Sequence, residues 1–322
     1  MSRPAWITPS GLSLLTVAVA AALLGTEGLL RRPLLDEMTA TAVVLAEHLL
    51  LAVIAIPLLV VQRHVIATLP ARTWLILFII GWGASAGAAL MFTKALESGN
   101  PTTASLLQNT QPLFVVFLAL LLLKERLRHH YWPCLAASLI GAYLLSFGTM
   151  NPVWVLNRGE LHAAGLAIGA AALWASGTVL ARLVLSDLSY VTLTALRIVL
   201  ALPLLLALAI RNGAAGNAVD GLGAFPVQLA AAALIPGFIA ILLFYRGLRG
   251  TKASHAVLAE FMYPAAALIG NWIMLDAMIS PLQALGVVLL LTTILLLAWS
   301  PTLPARRILG ALDGRARRAR TA

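Results

Sequence analysis

Long runs of residues without a formal charge are the feature that most constrains this 322-residue chain. Asp, Glu, Lys and Arg are absent from 73–93, 102–123, 132–157, 161–181 and 277–305. A helix needs about 20 apolar residues to cross the roughly 30 Å hydrocarbon core of a bilayer, whereas the strands of a membrane β-barrel are about half as long. With 61% hydrophobic and 11% charged residues, the chain is predicted to be an all-α membrane protein.

Ten transmembrane helices are predicted from hydropathy, polar breaks and clusters of Pro and Gly. They cover residues 11–30, 38–61, 73–96, 102–123, 131–149, 160–181, 189–210, 226–247, 254–275 and 281–299. Little of the chain therefore remains for a soluble domain.

Basic residues account for the net charge of +10 and concentrate in alternate loops and in the C-terminal tail. Membrane proteins keep Lys and Arg mainly in their cytoplasmic loops. We therefore expect both termini in the cytoplasm of a cell (inner) membrane, with Arg31 and Arg32 in an outer loop. This distribution indicates topology and contact with membrane lipids instead of a nucleic-acid partner.

The second half of the sequence repeats the first at an offset of about 150 residues. Gln108 aligns with Glu260, and Pro112 aligns with Pro264. Each half contains five predicted spans, and an odd number of spans places two copies in opposite orientations. The predicted organisation is two inverted five-helix repeats followed by a basic cytoplasmic tail. The boundaries are 11–149, 160–299 and 300–322.

A polar side chain stands four residues before a proline in each half. Proline has no N–H to donate to the carbonyl four residues earlier, and its ring crowds that carbonyl. Pro264 and Pro112 are therefore predicted to kink their helices and to free the carbonyls of Glu260 and Gln108.

Several motifs resemble the drug/metabolite transporter superfamily, in particular its ten-helix EamA-type members. In chain order they are 104–113, Lys124-Glu125-Arg126-Leu127, Ala195-Leu196-Arg197, Arg246-Gly247-Leu248, 253–264 and 281–286. The resemblance implies two inverted five-helix bundles around a central cavity. It also implies transport of a small metabolite by alternating access, often as export of amino acids or xenobiotics.

Ionisable, amide and aromatic side chains inside the spans are the candidate site residues, because such groups must face protein or water. The predicted substrate-binding residues are Glu260, Tyr263, Gln108, Gln111, Trp174, Phe92 and Tyr245. The predicted gating or structural charges are Arg197, Glu47, Lys94, Arg246 and Glu27. Inverted topology places Glu27, Glu47, Lys94 and Gln108 in the outer half of the membrane and Arg197, Arg246 and Glu260 in the inner half.

Most of these residues also have a structural interpretation. Glu260 either accepts a substrate amine or a proton, with its freed carbonyl as a second acceptor, or forms an ion pair with Arg197 or Arg246. Gln108 and Gln111 either contact the substrate or hydrogen-bond neighbouring helices.

The remaining charges have alternatives of the same kind. Lys94 and Arg246 either clamp an anion or extend to the membrane interface on their long side chains. Glu47 and Glu27 are alternative partners of Lys94. The aromatic residues either line the cavity or pack against helices and lipid.

The predicted function is that of a secondary transporter, an exporter of small organic metabolites such as amino acids, including aromatic ones. An organophosphate or nucleotide-sugar exchanger is one alternative, and it requires a paired basic site that only Lys94, Arg197 and Arg246 supply. A non-transport membrane protein is the other alternative. We expect no enzymatic activity, no cofactor and no metal, because neither a nucleotide-binding glycine loop nor a metal-ligand cluster is present in the sequence. The expected partners are a small-molecule substrate and membrane lipids, with protons as the candidate coupling ion.

Overall fold

Helices make up every regular element that the structure describes. The computed structural model describes residues 9–98, 104, 107–127, 129, 131–147, 158–275 and 280–299, and no strand occurs among them. The prediction of an all-α protein is confirmed. The predicted basic tail at 300–322 lies outside the described residues.

Sixteen α-helices follow one another in these ranges. In the first half they are α1 (Pro9–Leu24), α2 (Glu27–Arg31), α3 (Ala40–Val61), α4 (Arg63–Ala67), α5 (Ala71–Phe78), α6 (Ala88–Ser98), α7 (Gln111–Leu122) and α8 (Tyr131–Phe147). In the second half they are α9 (Arg158–Val184), α10 (Tyr190–Arg211), α11 (Ala215–Ala224), α12 (Pro226–Ala232), α13 (Ile241–Arg249), α14 (Ala253–Ala259), α15 (Met262–Leu275) and α16 (Pro281–Trp299). Of these, α4 and α11 were not predicted, because each lies between two predicted spans.

Six continuous helical segments are long and apolar enough to cross a membrane. They are Ser10–Asp36, Ala40–Val61, Ala71–Ser98, Leu161–Val184, Tyr190–Arg211 and Pro226–Arg249. Shorter apolar helices occupy Gln111–Leu122, Tyr131–Ser146 and Pro281–Leu297. Large side chains such as Val53, Phe117 and Val227 are exposed, as expected for surfaces that contact lipid. The chain is therefore a multi-pass membrane protein, whereas the count of ten spans stays a prediction.

The two 22-residue helices α3 and α10 pack along each other and begin in the same way. Thr39 Oγ1 accepts the N–H of Ala42 at 3.3 Å, and Ser189 Oγ accepts the N–H of Thr192 at 3.0 Å. Such caps satisfy a backbone donor that the first helical turn leaves unpaired. Because the caps are about 150 residues apart, these two helices are equivalent elements of the two halves.

A π-helical segment interrupts one long helix in each half. Ile79–Gly87 joins α5 to α6, and Ala233–Ala240 joins α12 to α13. Pro236 inside the second segment cannot donate a backbone hydrogen bond, which favours a local change of helical geometry. Segments of this kind are rare and commonly accompany functional sites. Both line the cavity described below.

Breaks, and not kinks, are found where proline follows a polar side chain. Helix α14 ends at Ala259 and α15 begins at Met262, so that Pro264 lies in the first turn of a new helix. The carbonyl of Glu260 accepts the N–H of Tyr263 at 2.9 Å. The predicted freed carbonyl at Glu260 is therefore wrong, because the break allows a tighter turn to supply its donor.

The equivalent break in the first half lies between Gln108 and Gln111. Residues 107 and 108 are helical, residues 109 and 110 form a turn, and α7 begins at Gln111 with Pro112 next to it. Proline suits the first turn of a helix because the N–H that it lacks has no partner there. We call these two breaks, 108–111 and 260–263, the helix breaks.

Gly25 brings the end of α1 against the second helix break. A Cβ atom at this position would lie 2.4 Å from the carbonyl oxygen of Tyr263 and 2.9 Å from the Cβ of Ala266. No side chain fits such a contact, so glycine is required for this approach. The break is thereby held at the centre of the bundle, where α1 also packs against α15.

Candidate substrate cavity

A cavity between the helices of both halves contains most of the predicted site residues. It encloses about 1160 Å³ of space between atoms, including its open part. Ligand sites in proteins combine apolar walls with a few polar groups. Both helix breaks and both π-helical segments line this cavity.

The structure brings together nine of the twelve predicted binding and charged residues on the cavity wall. These nine are Glu27, Glu47, Gln108, Gln111, Trp174, Arg197, Tyr245, Glu260 and Tyr263. Pro112 also lines the cavity. Phe92 lies behind the wall, where it is fully buried, whereas Lys94 and Arg246 are exposed outside it.

The carboxylate of Glu260 has one neutral partner and one oxygen without a partner. Its Oε2 accepts a hydrogen bond from Gln111 Nε2 at 2.7 Å. Its Oε1 is buried and has no hydrogen-bond partner in the protein. Within the described residues Glu260 forms no ion pair, so the predicted alternative of a pair with Arg197 or Arg246 is wrong.

The Gln111–Glu260 hydrogen bond connects the two halves of the protein. It joins residues that are 149 positions apart in the sequence. Gln108, predicted for the outer half of the membrane, and Glu260, predicted for the inner half, line the same cavity. Residues predicted for opposite halves of the membrane therefore line one cavity at the two helix breaks.

Two further polar atoms of the first break are buried without a protein partner. They are Oε1 of Gln108 and Nδ2 of Asn109. Sequence reasoning missed Asn109, although it stands between Gln108 and Pro112 and shares their unusual setting in an apolar run. An unpaired buried polar atom costs free energy, so these atoms favour a ligand that supplies the missing partners.

Arg197 is held by neutral groups. Its Nε donates to Ser85 Oγ at 3.2 Å, and its Nη1 donates to the hydroxyl of Tyr245 at 3.1 Å. The guanidinium carbon lies 5.8 Å from the centre of the Tyr245 ring, within the range of a cation–π contact. Among the described residues no carboxylate pairs with Arg197. Ser85 also contacts His48 Nε2 at 3.2 Å and was missed because a lone serine in an apolar run gives no signal.

Arg31 is buried in the bundle and bridges two carboxylates. It donates to Glu47 from Nε at 2.8 Å and from Nη2 at 2.5 Å, and it also pairs with Glu27. Thr93 Oγ1 accepts a further bond at 3.2 Å. We call Glu27, Arg31 and Glu47 the arginine triad.

The arginine triad corrects two predictions. Arg31 does not lie in an outer loop, because α2 continues the chain beyond α1 and places its side chain, 4% exposed, inside the protein. Lys94 pairs with neither Glu47 nor Glu27, since Arg31 binds both carboxylates. The spacing of Glu27 and Arg31, four residues apart on one helix, is the signal that identifies the pair in the sequence.

Trp174 gives the cavity an aromatic wall, with Phe92 behind it. The Trp174 ring lies 5.4 Å from the ring of Phe92, centre to centre and tilted by 60°. Phe92 therefore supports Trp174 from behind while Trp174 faces the cavity. Tyr245 and Tyr263 add further aromatic surface. This wall suits a flat or aromatic ligand.

The paired basic site required by an organophosphate or nucleotide-sugar exchanger is not found in the described part of the chain. Lys94 and Arg246 are exposed outside the cavity, as expected for side chains that extend to the membrane interface. Arg31 is neutralised by two carboxylates. Arg197 alone remains to bind an anion, so the structure disfavours a multiply charged phosphate.

Known proteins resemble this chain in sequence and in fold. The model of the EamA-like transporter family matches residues 11–147 and 161–299. The riboflavin transporter ImpX of Fusobacterium nucleatum subsp. nucleatum is 30% identical over 295 residues, which cover 87% of this chain and 95% of that protein. A solved structure described only as "Crystal structure of protein" has a TM-score of 0.64 and 18% identity, covering 93% of this chain and 98% of that one. This last likeness concerns the fold alone.

Proposed function

Since the chain belongs to the EamA-like transporter family, we propose that its cavity binds riboflavin or a closely related flavin and carries it across the membrane. Transport follows alternating access between the two repeats. One observation carries the proposal: the cavity combines an aromatic wall with buried hydrogen-bonding atoms that have no protein partner. The relative named a riboflavin transporter supports the same substrate.

A flavin requires the features that this cavity offers. Its three-ring system is flat and apolar on both faces, whereas one edge carries N–H and carbonyl groups. Trp174, backed by Phe92, provides a surface for the ring face. Gln108, Asn109 and Glu260 provide polar atoms for the edge.

An amino acid is the second candidate substrate, and a separate observation favours it. Arg197 and Glu260 carry opposite charges, line the same cavity and have no ion-pair partner among the described residues. A zwitterion places a carboxylate at the first and an ammonium group at the second. An aromatic amino acid would also use the Trp174 wall.

Counterflow in proteoliposomes tests the two candidates directly. The full chain is reconstituted, the vesicles are loaded with unlabelled riboflavin or one of the twenty amino acids, and entry of the same labelled compound is measured. We expect riboflavin to accumulate above the level in protein-free vesicles. Trp174→Ala should lower the riboflavin rate roughly tenfold at low concentration because it removes the ring contact. The matched control Trp272→Ala, at an exposed position, should leave the rate unchanged.

Each result decides between the candidates. If amino acids show counterflow and riboflavin does not, the substrate is an amino acid and not a flavin. The absence of both fluxes from vesicles that contain folded protein contradicts the proposed cavity. A riboflavin flux that Trp174→Ala leaves intact contradicts the role of the aromatic wall.

Proton coupling, export and cytoplasmic termini belong to the same proposal. The basic loops favour this orientation. An imposed proton gradient that changes the net flavin flux supports coupling, and protease cleavage of the basic tail in inside-out vesicles supports the cytoplasmic terminus. A flux that depends only on the flavin gradient contradicts proton coupling and indicates a uniporter.

A further inference from the structure

Three buried polar atoms without a protein partner lie in the helix breaks. Two are acceptors, Glu260 Oε1 and Gln108 Oε1, and one is a donor, Asn109 Nδ2. All three residues line the cavity. Most buried polar atoms in folded proteins are paired, so several unpaired ones around one cavity indicate a ligand with complementary groups.

The two breaks are fixed relative to each other. Gln111 Nε2 donates to Glu260 Oε2 at 2.7 Å, which orients the carboxylate and leaves Oε1 as its remaining acceptor. Gly25 packs α1 closely against the second break. The donor and the acceptors therefore belong to residues that line one cavity, which the aromatic wall lines as well.

We propose that the helix breaks recognise the imide edge of the flavin ring, an inference that rests on the proposed function. The edge consists of one ring N–H, at N3, between two carbonyl groups. Glu260 Oε1 accepts the N3–H, and Asn109 Nδ2 donates to an adjacent carbonyl. Gln108 Oε1, the other unpaired acceptor of the helix breaks, finds no donor on the edge and takes no part in the contact. The sugar-alcohol chain of riboflavin then points away from the helix breaks.

This orientation has a chemical consequence that separates it from other modes of binding. A methyl group on N3 removes the only donor of the edge and leaves Glu260 Oε1 buried without a partner. Removal of the sugar-alcohol chain, as in lumiflavin, which carries a methyl group on N10 instead, leaves the edge intact. A site that instead recognises the sugar-alcohol chain binds N3-methylriboflavin more tightly than a flavin that lacks this chain.

Competition against labelled riboflavin in proteoliposomes that contain the full chain tests the inference. We expect lumiflavin to compete within a few-fold of riboflavin, and N3-methylriboflavin to compete roughly tenfold or more weakly. Glu260→Ala and Asn109→Ala should each weaken the binding of riboflavin. The Glu260→Ala variant should bind riboflavin and N3-methylriboflavin with similar affinity, because the substitution and the methyl group remove the same hydrogen bond. Asn212→Ala, at an exposed position, is the matched control for Asn109→Ala.

The outcomes separate this inference from the proposed function. Equal competition by riboflavin and N3-methylriboflavin in the wild-type protein overturns imide recognition while riboflavin transport stands. Failure of lumiflavin to compete, with N3-methylriboflavin still competing, also overturns it. Absence of any riboflavin flux overturns the proposed function itself. The comparison of ligands on the wild-type protein does not depend on whether a variant folds.

Discussion

Two groups of charged side chains line the same cavity, and their hydrogen bonding differs. In the arginine triad, Arg31 binds Glu27 and Glu47 through most of its donors. Glu260 and Arg197, in contrast, are held only by neutral groups in the described part of the chain. A buried charge by itself therefore does not mark a binding site. A buried charged group indicates a binding site when the folded protein supplies no oppositely charged partner for it.

Energetics explain why the two groups should behave differently. Removing one member of a buried ion pair leaves a charge without compensation and costs about 3–5 kcal/mol. A hydrogen bond between neutral groups contributes about 1 kcal/mol net, and one that involves a charge about 1.5–3 kcal/mol. We therefore expect the arginine triad to control stability, and Glu260 with Arg197 to control transport.

Substitution of Arg31 and of Arg197 should affect the protein most strongly, and in different ways. Arg31→Met leaves Glu27 and Glu47 buried without a positive charge and should lower the free energy of unfolding by about 3–5 kcal/mol. Loss of monodisperse protein in detergent and a lower thermal midpoint measure this. Arg197→Met should keep the protein folded and abolish most transport, because no carboxylate in the described residues forms an ion pair with that arginine.

Two further results bear on the arginine comparison. Neutralising the whole triad, with Glu27→Gln and Glu47→Gln added to Arg31→Met, should restore part of the lost stability. If Arg197→Met unfolds the protein as much as Arg31→Met does, the distinction between the two groups is wrong.

A smaller effect is expected from the matched pair Glu47→Gln and Glu260→Gln. Both changes keep the shape of the side chain and remove its charge. Glu47→Gln weakens the bonds from Arg31 and should cost about 1–3 kcal/mol of stability. Glu260→Gln keeps an oxygen for Gln111 but turns the other acceptor into a donor, so that transport should fall about tenfold or more at an unchanged thermal midpoint. Transport at the wild-type rate in Glu260→Gln would make that residue structural.

The amino-acid sequence predicts those features that depend on local composition. The membrane class follows from uncharged runs, and the positions of both helix breaks follow from a polar residue near a proline in an apolar segment. The sequence also indicates Glu260, Arg197 and Trp174, because charged and aromatic groups inside predicted spans are few. These three line one cavity, although their roles remain proposals.

Partners across the bundle could not be predicted in the same way. Arg31 follows an apolar span and therefore resembles a loop residue, yet its carboxylate Glu47 is 16 positions away on another helix. Gln111 and Glu260 are 149 positions apart, and no local pattern joins them. Periodicity gives the face and depth of a side chain, whereas its partner depends on how the helices pack. The assignment of Lys94 to a glutamate failed for this reason.

The smallest expected effect concerns the prolines of the two helix breaks. Both lie in the first turn of a helix, where proline costs little, so Pro112→Ala and Pro264→Ala should leave the protein folded. Alanine restores an N–H and allows a continuous helix, which would move Asn109 or Glu260 relative to the aromatic wall. We expect riboflavin transport to fall about fivefold or less.

Comparison of the two proline variants sharpens the difference between the two charged groups. Pro264→Ala offers the Glu260 carbonyl a new donor in place of the Tyr263 N–H and should therefore impair transport more than Pro112→Ala. Neither change touches the arginine triad, so thermal midpoints should stay near the wild-type value. Wild-type flux in both variants would show that polar side chains, and not the breaks that present them, are sufficient for transport.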